Sequence, residues 1–259
     1  MDYFKKYEEN PYEDLRWNIP ERKQGIVHII GGNSQTFRTP VKIGEWLSAN
    51  YPVEATHIVL PDALKAKLPP LPNLVFLKST ESGSIADALE IAGTLESADY
   101  NILIGDLSRN TVTAKAIGDA CEKSTKPILI TRDSVDLLAS EIKETTLMNE
   151  QLVLVASIAQ LQKVFRAIYY PKMLMMTQPL TQIVEALHKF TLSYPSKIVT
   201  LYNGQILISQ NGEVAAIPIE KSGYTPLTMW GGEFAAKVSA YNLYNPDNFM
   251  KATICAVFS

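Results

Sequence analysis

Short apolar runs alternate with amphipathic helical stretches along most of this chain, and the alternation then gives way to three β-rich segments joined by two Asn-Gly dipeptides. That order constrains the fold more than any other feature. Apolar runs with no polar face are strands buried on both sides, and their regular exchange with helices calls for a parallel sheet covered on both faces. Gly25 opens the first run, Ile26–Ile30, which ends at Gly31-Gly32-Asn33. A helix is expected from about Val41 to Asn50. Runs at His57–Leu60 and Leu74–Leu77 follow, with Pro69, Pro70 and Pro72 between them.

The next helix carries a start signal at Ser84, with Asp87 three residues on in a capping-box-like arrangement. Ile85, Ala88, Leu89, Ala92 and Leu95 then fall on one helical face. A strand at Asn101–Ile104 ends at Gly105. Helix Thr111–Glu122, strand Ile128–Ile130 and a short helix after Asp133 come next, and Asp133 is expected to cap the short helix. After the run Gln151–Val155, Ser157 and Gln160 form a capping box ahead of Ile158, Leu161, Val164, Phe165 and Ile168. A helix over Leu180–Leu192 precedes the β-rich segments Lys197–Leu201, Gln205–Ser209 and Glu213–Ile217. Asn203-Gly204 and Asn211-Gly212 are strong hairpin signals. Gly231-Gly232 then opens a helix with Phe234, Val238 and Tyr241 on one face.

The reading is therefore a doubly wound, mostly parallel α/β sheet flanked by helices, with a late β-meander. Residues 25–259 form one domain behind an N-terminal arm, residues 1–24, broken by Pro11, Pro20 and a polar run. The arm packs either on its own domain or on a neighbouring subunit. Hydrophobic residues make up 46% of the 259 and charged residues 20%, enough for a sizeable core. A net charge of −3 makes no electrostatic case for nucleic acid or an anionic membrane. No stretch of about 18 apolar residues offers a membrane span, and the charged, aromatic N-terminus lacks the apolar stretch expected of a signal peptide. Two distant cysteines, Cys121 and Cys255, and three scattered histidines, His28, His57 and His188, have no zinc spacing. A reduced, cytoplasmic setting is the expectation, and no residue set is assigned to a metal.

In doubly wound sheets ligands bind beyond the carboxyl ends of the strands, near helix N-termini. That rule selects the loops Gly31–Pro40, Gly105–Asn110, Thr131–Asp133, Ala156–Ser157 and Met229–Glu233. The last is the most informative. Gly231 and Gly232 let backbone amides approach an anion, and Glu233 in the first helical turn could deprotonate a hydroxyl beside a phosphate. A plain turn followed by a favourable first-turn acid is the competing explanation. Gly31-Gly32-Asn33-Ser34 lacks the spacing of a full phosphate loop. Asp106 and Arg109 could face a ligand or be solvated loop charges, and Ser157 has a sufficient role as a cap.

These pieces, in this order, resemble the ADP/ATP-dependent NAD(P)H-hydrate dehydratase family within the ribokinase-like superfamily, over residues 24–258. Gly25–Pro40 is similar to the family's opening strand, G-G-S loop and G-A-P, with Thr39 in place of the alanine near the substrate. Ile102–Asn110 lies where the family has G-P-G-L-G, and Gly105 is kept. Ile128–Leu138 is similar to the strand followed by D-A-D-A-L. Leu152–Leu161 falls where the family reads I-L-T-P-H-P-G-E-L, with Ser157 replacing the substrate-contacting histidine. Val199–Gly212 resembles the hairpin beside the nucleotide, with Tyr202 and Asn203 at its Lys and Gly positions. Trp230-Gly231-Gly232-Glu233 aligns with G-T-G-D, whose glycines form the anion hole and whose aspartate is catalytic.

What the resemblance implies is a ribokinase-like fold and dehydration of hydrated NADH or NADPH, coupled to ATP or ADP with Mg²⁺. Glu233 would be the catalytic carboxylate and Gly231 and Gly232 the anion hole. Tyr202, Asn203, Gly204 and Gly232 would meet the nucleotide, and Thr39, Gly105, Ser157 and Glu233 the NAD(P)H hydrate. A homo-oligomer is also implied. The departures fall on functional positions, which keeps two other readings open: a catalytically inactive nucleotide-binding protein on the same fold, and a ribokinase-like kinase for another small hydroxylated molecule.

Overall fold

In the first long strand, Ile26–Gly31, every residue after Ile26 is buried, and its side chains divide between two cores. Val27 and Ile29 enter one hydrophobic layer and Ile30 the other. This two-sided burial, repeated in the neighbouring strands, fixes a sheet sandwiched between helices. The structure, a computed structural model, describes residues 2–12 and 20–259.

Among these residues the strands are β1 (Phe4–Lys6), β2 (Ile26–Gly31), β3 (Ala55–Pro61), β4 (Leu74–Leu77), β5 (Tyr100–Gly105), β6 (Ile128–Thr131), β7 (Leu152–Val155), β8 (Lys197–Tyr202), β9 (Gln205–Gln210) and β10 (Glu213–Pro218). They form one sheet in the order β1-β10-β9-β8-β7-β6-β5-β2-β3-β4. Pairing is parallel from β4 through β8. Only the β8-β9 and β9-β10 pairs are antiparallel.

The helices are α1 (Arg38–Asn50), α2 (Ala88–Glu96), α3 (Thr111–Lys123), α4 (Asp133–Ala139), α5 (Glu144–Leu147), α6 (Ile158–Ala167), α7 (Leu180–Ser193), α8 (Glu233–Tyr244) and α9 (Phe249–Phe258). One face of the sheet is covered by α2 to α7 through side chains such as Ile91, Ile117, Leu138, Leu161, Phe165 and Phe190. The other is covered by α1, α8 and α9 through Ile43, Leu47, Phe234, Val238, Ile254 and Val257. The strand order reverses between β2 and β5, the kind of switch point above which open α/β sheets bind ligands.

Both hairpins of the meander turn on Asn-Gly. Asn203 (φ 46°) with Gly204 (φ 71°), and Asn211 (φ 49°) with Gly212 (φ 79°), all adopt positive φ. That is the requirement of two-residue turns matched to strand twist.

Some expectations shift. Helix α1 starts at Arg38, three residues early, because Pro40 sits in its first turn where no amide partner is needed. Ser84 does not cap α2. Asp87 does, accepting from the amides of Leu89 (2.9 Å) and Glu90 (3.2 Å). Ser84 is buried, its hydroxyl against that of Ser108, and Leu89 faces solvent. Asp133 does not cap α4. It lies in the first turn behind Arg132, which makes no side-chain cap bond.

Strand β1 and helices α5 and α9 were not anticipated. The described part of the arm packs on its own sheet: β1 runs parallel to β10, and Tyr3 stacks on His188 with ring centroids 3.6 Å apart. The remainder of the expected arm, residues 1 and 13–19, lies outside the described residues.

Candidate functional site

The carboxyl ends of β2, β5 and β6 converge with the N-terminus of α8. Gly31 pairs with Gly105, and Gly32 N–H donates to the Gly105 carbonyl at 3.0 Å. A β-carbon on Gly31 would collide with that carbonyl, so the two loops leave the sheet in contact. Asn33 closes the first loop: its Oδ1 accepts from the amides of Gln35 and Thr36, and its Nδ2 donates to the Asp106 carbonyl at 2.6 Å.

Asp106 is the hub. Its Oδ2 accepts from the Thr39 amide at 3.3 Å, its Oδ1 lies 3.8 Å from the Arg132 guanidinium, and its own amide donates to Asp133 Oδ1 at 3.2 Å. Asp106 (φ 58°) and Arg132 (φ 56°, ψ −142°) hold backbone conformations that side chains rarely adopt. Such strain persists only where surrounding contacts over-determine it, and it gathers at ligand sites. Arg132 Nη1 then donates to the Trp230 carbonyl at 3.4 Å, tying the end of β6 to the turn before α8.

Gly232 makes that turn at φ 107°. L side chains rarely adopt that conformation, and a β-carbon there would also stand 2.9 Å from Ile104 Cδ1, so glycine lets the turn lie on β5. No side chain among the described residues caps α8, and its first internal bond is Ala236 N–H to the Gly232 carbonyl. Among the described residues the amides of Gly232, Glu233, Phe234 and Ala235 find no protein acceptor. Open amides and the helix dipole make this an anion-binding position. Glu233 sits beside it, its Oε1 2.8 Å from Lys42 Nζ on α1. Burial, with the Glu233 charge adding to it, pushes the Tyr224 hydroxyl up to about 12.

Of the residues singled out from sequence, Thr39, Gly105, Gly231, Gly232 and Glu233 fall in or against this cluster. Ser157 is joined to it indirectly. Its hydroxyl is used in the capping box, while the Gln160 side chain reaches the Arg132 carbonyl at 2.6 Å. Tyr202 turns inward: the ring is fully buried and the hydroxyl donates to the carbonyls of Met176 and Gln178. At that hairpin only Asn203 and Gly204 are left to face a ligand. Arg132 was missed, because a charged residue after a strand looks like any solvated loop charge. The loop Thr131–Asp133 that carries it is among those the strand-end rule selects, but nothing in the sequence singles out Arg132 within that loop.

Among the described residues no group of three or more His, Cys, Asp or Glu side chains could hold a metal ion. A Mg²⁺ here would be carried mainly by phosphate oxygens and water, as this ion commonly is beside nucleotides. No described helix is long and apolar enough to cross a membrane.

No protein-family profile matches the chain. No curated protein matches it by sequence. Solved structures do. A ribokinase-like superfamily protein from Enterococcus faecalis superposes with a TM-score of 0.68 at 15% identity, covering 100% of this chain and 86% of that one. The chain has the ribokinase-like fold. The ADP/ATP-dependent NAD(P)H-hydrate dehydratase of Bacillus subtilis, co-crystallised with ATP and Mg²⁺, matches with a TM-score of 0.62 at 12% identity over 97% of this chain and 86% of that one. The pyridoxal kinase of Staphylococcus aureus, solved with AMP-PCP and pyridoxal, gives 0.52 at 12% identity over 91% and 85%. What these proteins share with this chain is the ribokinase-like fold.

Proposed function

We propose that this protein binds ATP or ADP with its phosphates at the N-terminus of α8, and that it is a divergent nucleotide-dependent NAD(P)H-hydrate dehydratase. One observation carries the reading: four unpaired amides and the Glu233 carboxylate share one helix end, above the point where the strand order reverses. Two cations, Lys42 and Arg132, flank it. In this arrangement the amides hold phosphate oxygens, the cations offset developing charge, and Glu233 accepts the proton of a substrate hydroxyl. Mg²⁺ supplies further charge neutralisation on the phosphates. Thr39 and Gly105, on the loops facing this end, are the positions for the nicotinamide-nucleotide hydrate.

The test has two stages. Thermal shift with ATP, ADP, AMP and NADPH, with and without Mg²⁺, is expected to show stabilisation by at least one nucleotide. Recovery of NADH absorbance from its hydrate then reads the chemistry, and Glu233→Gln is expected to abolish it. No stabilisation by any nucleotide overturns the binding assignment. Unchanged turnover in Glu233→Gln removes Glu233 from the mechanism.

A second reading has its own observation. The hairpin position at which the dehydratases carry a lysine is Tyr202, whose side chain is locked in the core. A protein that binds nucleotide on this fold without turning it over accounts for that change. Nucleotide stabilisation without absorbance recovery selects it.

A further inference from the structure

A second hollow lies at the carboxyl end of the sheet, between the β5-α3 loop, α4 and α6 on the face opposite α8. It encloses about 410 Å³, within the range of roughly 300–1,000 Å³ usual for small-molecule sites. Leu107 and Leu137 contribute apolar wall. Four charged side chains line the rest: Arg109 from the loop, Asp133 and Asp136 from α4, and Lys163 from α6.

Two of the four neutralise each other. Lys163 is ion-paired with Asp136, which also accepts from Gln160 Nε2 at 2.8 Å. Arg109 and Asp133 form no ion pair among the described residues. They stand on different walls, one on the loop and one on the first turn of α4. Both walls are held. Ser108 and Asn110, either side of Arg109, are fastened to Ser84 and Ser82, and Asn110 Oδ1 also caps α3. Asp133 Oδ1 is spent on the Asp106 amide, and a side chain at Gly105 would collide with it. Desolvation against the end of β5 raises the Asp133 carboxyl above the ordinary aspartate value, so a positive partner there would be favoured.

We propose that this hollow is a binding site for a small zwitterion of the amino-acid type, its carboxylate on the Arg109 guanidinium and its ammonium on Asp133. A molecule with one charge satisfies one wall and leaves the other without a charged partner. A molecule with both satisfies each, and a guanidinium can grip a carboxylate with two parallel hydrogen bonds. The site does not rest on the nucleotide reading: Arg109 and Asp133 are not among the residues assigned to nucleotide or hydrate, although Asp133 accepts from the amide of Asp106 in that cluster.

The experiment uses the full chain and an amide-resolved NMR titration with the free amino acids, with acetate, methylamine and inorganic phosphate as single-charge probes. At least one amino acid is expected to bind, shifting the amides of Arg109, Thr111 and Ser140, with the single-charge probes at least tenfold weaker. Arg109→Gln is expected to weaken that amino acid at least tenfold. Because Asp133 also braces Asp106, the second variant is Ser140→Tyr, which fills the hollow from an exposed position and is expected to abolish binding while the fold is retained. Glu233→Gln is expected to leave amino-acid binding unchanged, which separates failure here from failure at α8. Acetate or phosphate binding as tightly as any amino acid overturns the zwitterion assignment. No amino acid binding, or binding unaffected by Ser140→Tyr, overturns the site.

Discussion

Lys42 Nζ lies 2.8 Å from Glu233 Oε1 and joins α1 to the first turn of α8 across 191 residues of chain. The lysine side chain is 70% exposed and the glutamate 32%, so the pair contributes little to folding, about 0–1 kcal/mol. Its consequence lies in the site, where it places an exposed cation beside the open amides.

Lys42→Ala is therefore expected to leave the unfolding free energy within about 1 kcal/mol of the parent protein. It is also expected to reduce the stabilisation given by ATP with Mg²⁺. Thermal melts with and without nucleotide read both quantities. A nucleotide response equal to that of the parent would show that Lys42 meets no phosphate.

Tyr202→Phe probes the hairpin. Removing the hydroxyl leaves the carbonyls of Met176 and Gln178, which lie toward the surface, without this donor, a loss of about 0.5–1.5 kcal/mol. Chemical denaturation is expected to show that loss while the thermal response to nucleotide stays the same. A weakened nucleotide response at unchanged stability would instead put the Tyr202 side chain in the ligand site.

The contrast between Lys42 and Tyr202 shows what could be read from the chain alone. Two-sided apolar strands, the Ser157–Gln160 capping box and the two Asn-Gly turns are local signals, and each appears in the structure where its residues stand. Three elements had no such signal. Helix α9 is apolar almost all round, so it carries no amphipathic period. Strand β1 has three residues and is defined by pairing with β10, some two hundred positions away. Leu89 matched a helical face only because the helix was started at Ser84 rather than at Asp87. At the site, Gly231-Gly232-Glu233 was legible because a glycine pair before a helix has a backbone meaning. Lys42 and Arg132 were not, since their role depends on which strand ends lie side by side.

The two glycines before α8 are expected to differ. Gly232 has φ 107°, and an added β-carbon would stand 2.9 Å from Ile104 Cδ1 and 3.1 Å from Ile43 Cδ1. Gly231 has nothing within 4 Å of that position and no positive φ. Gly232→Ala is expected to cost about 1–3 kcal/mol through strain and to weaken nucleotide binding by moving the amides. Gly231→Ala is expected to fold with stability within about 1 kcal/mol of the parent. Equal effects in denaturant melts would contradict the turn geometry.

Acid stability turns on a histidine pair in the sheet. His28 is buried, with Nδ1 3.1 Å from the Thr94 carbonyl and Nε2 3.2 Å from His57 Nδ1. The Thr94 contact requires a proton on Nδ1, which leaves Nε2 as the acceptor from His57 N–H. Protonating His28 turns Nε2 into a donor and requires His57 to move its own proton to Nε2 so that its Nδ1 can accept. Burial, and then the charge of His57, lower His28 to about 4 from an ordinary 6.5. The unfolded chain therefore binds the proton more readily than the folded one. Above about pH 6.5 the difference costs nothing, and as the pH falls from there toward 4 the folded state loses stability at up to about 1.4 kcal/mol per unit. Urea unfolding at pH 7.5 and 5.5 is expected to differ by about 1 kcal/mol from this group, and His28→Asn is expected to flatten that difference. The same slope in parent and variant would mean that His28 is protonated as easily in the fold as outside it.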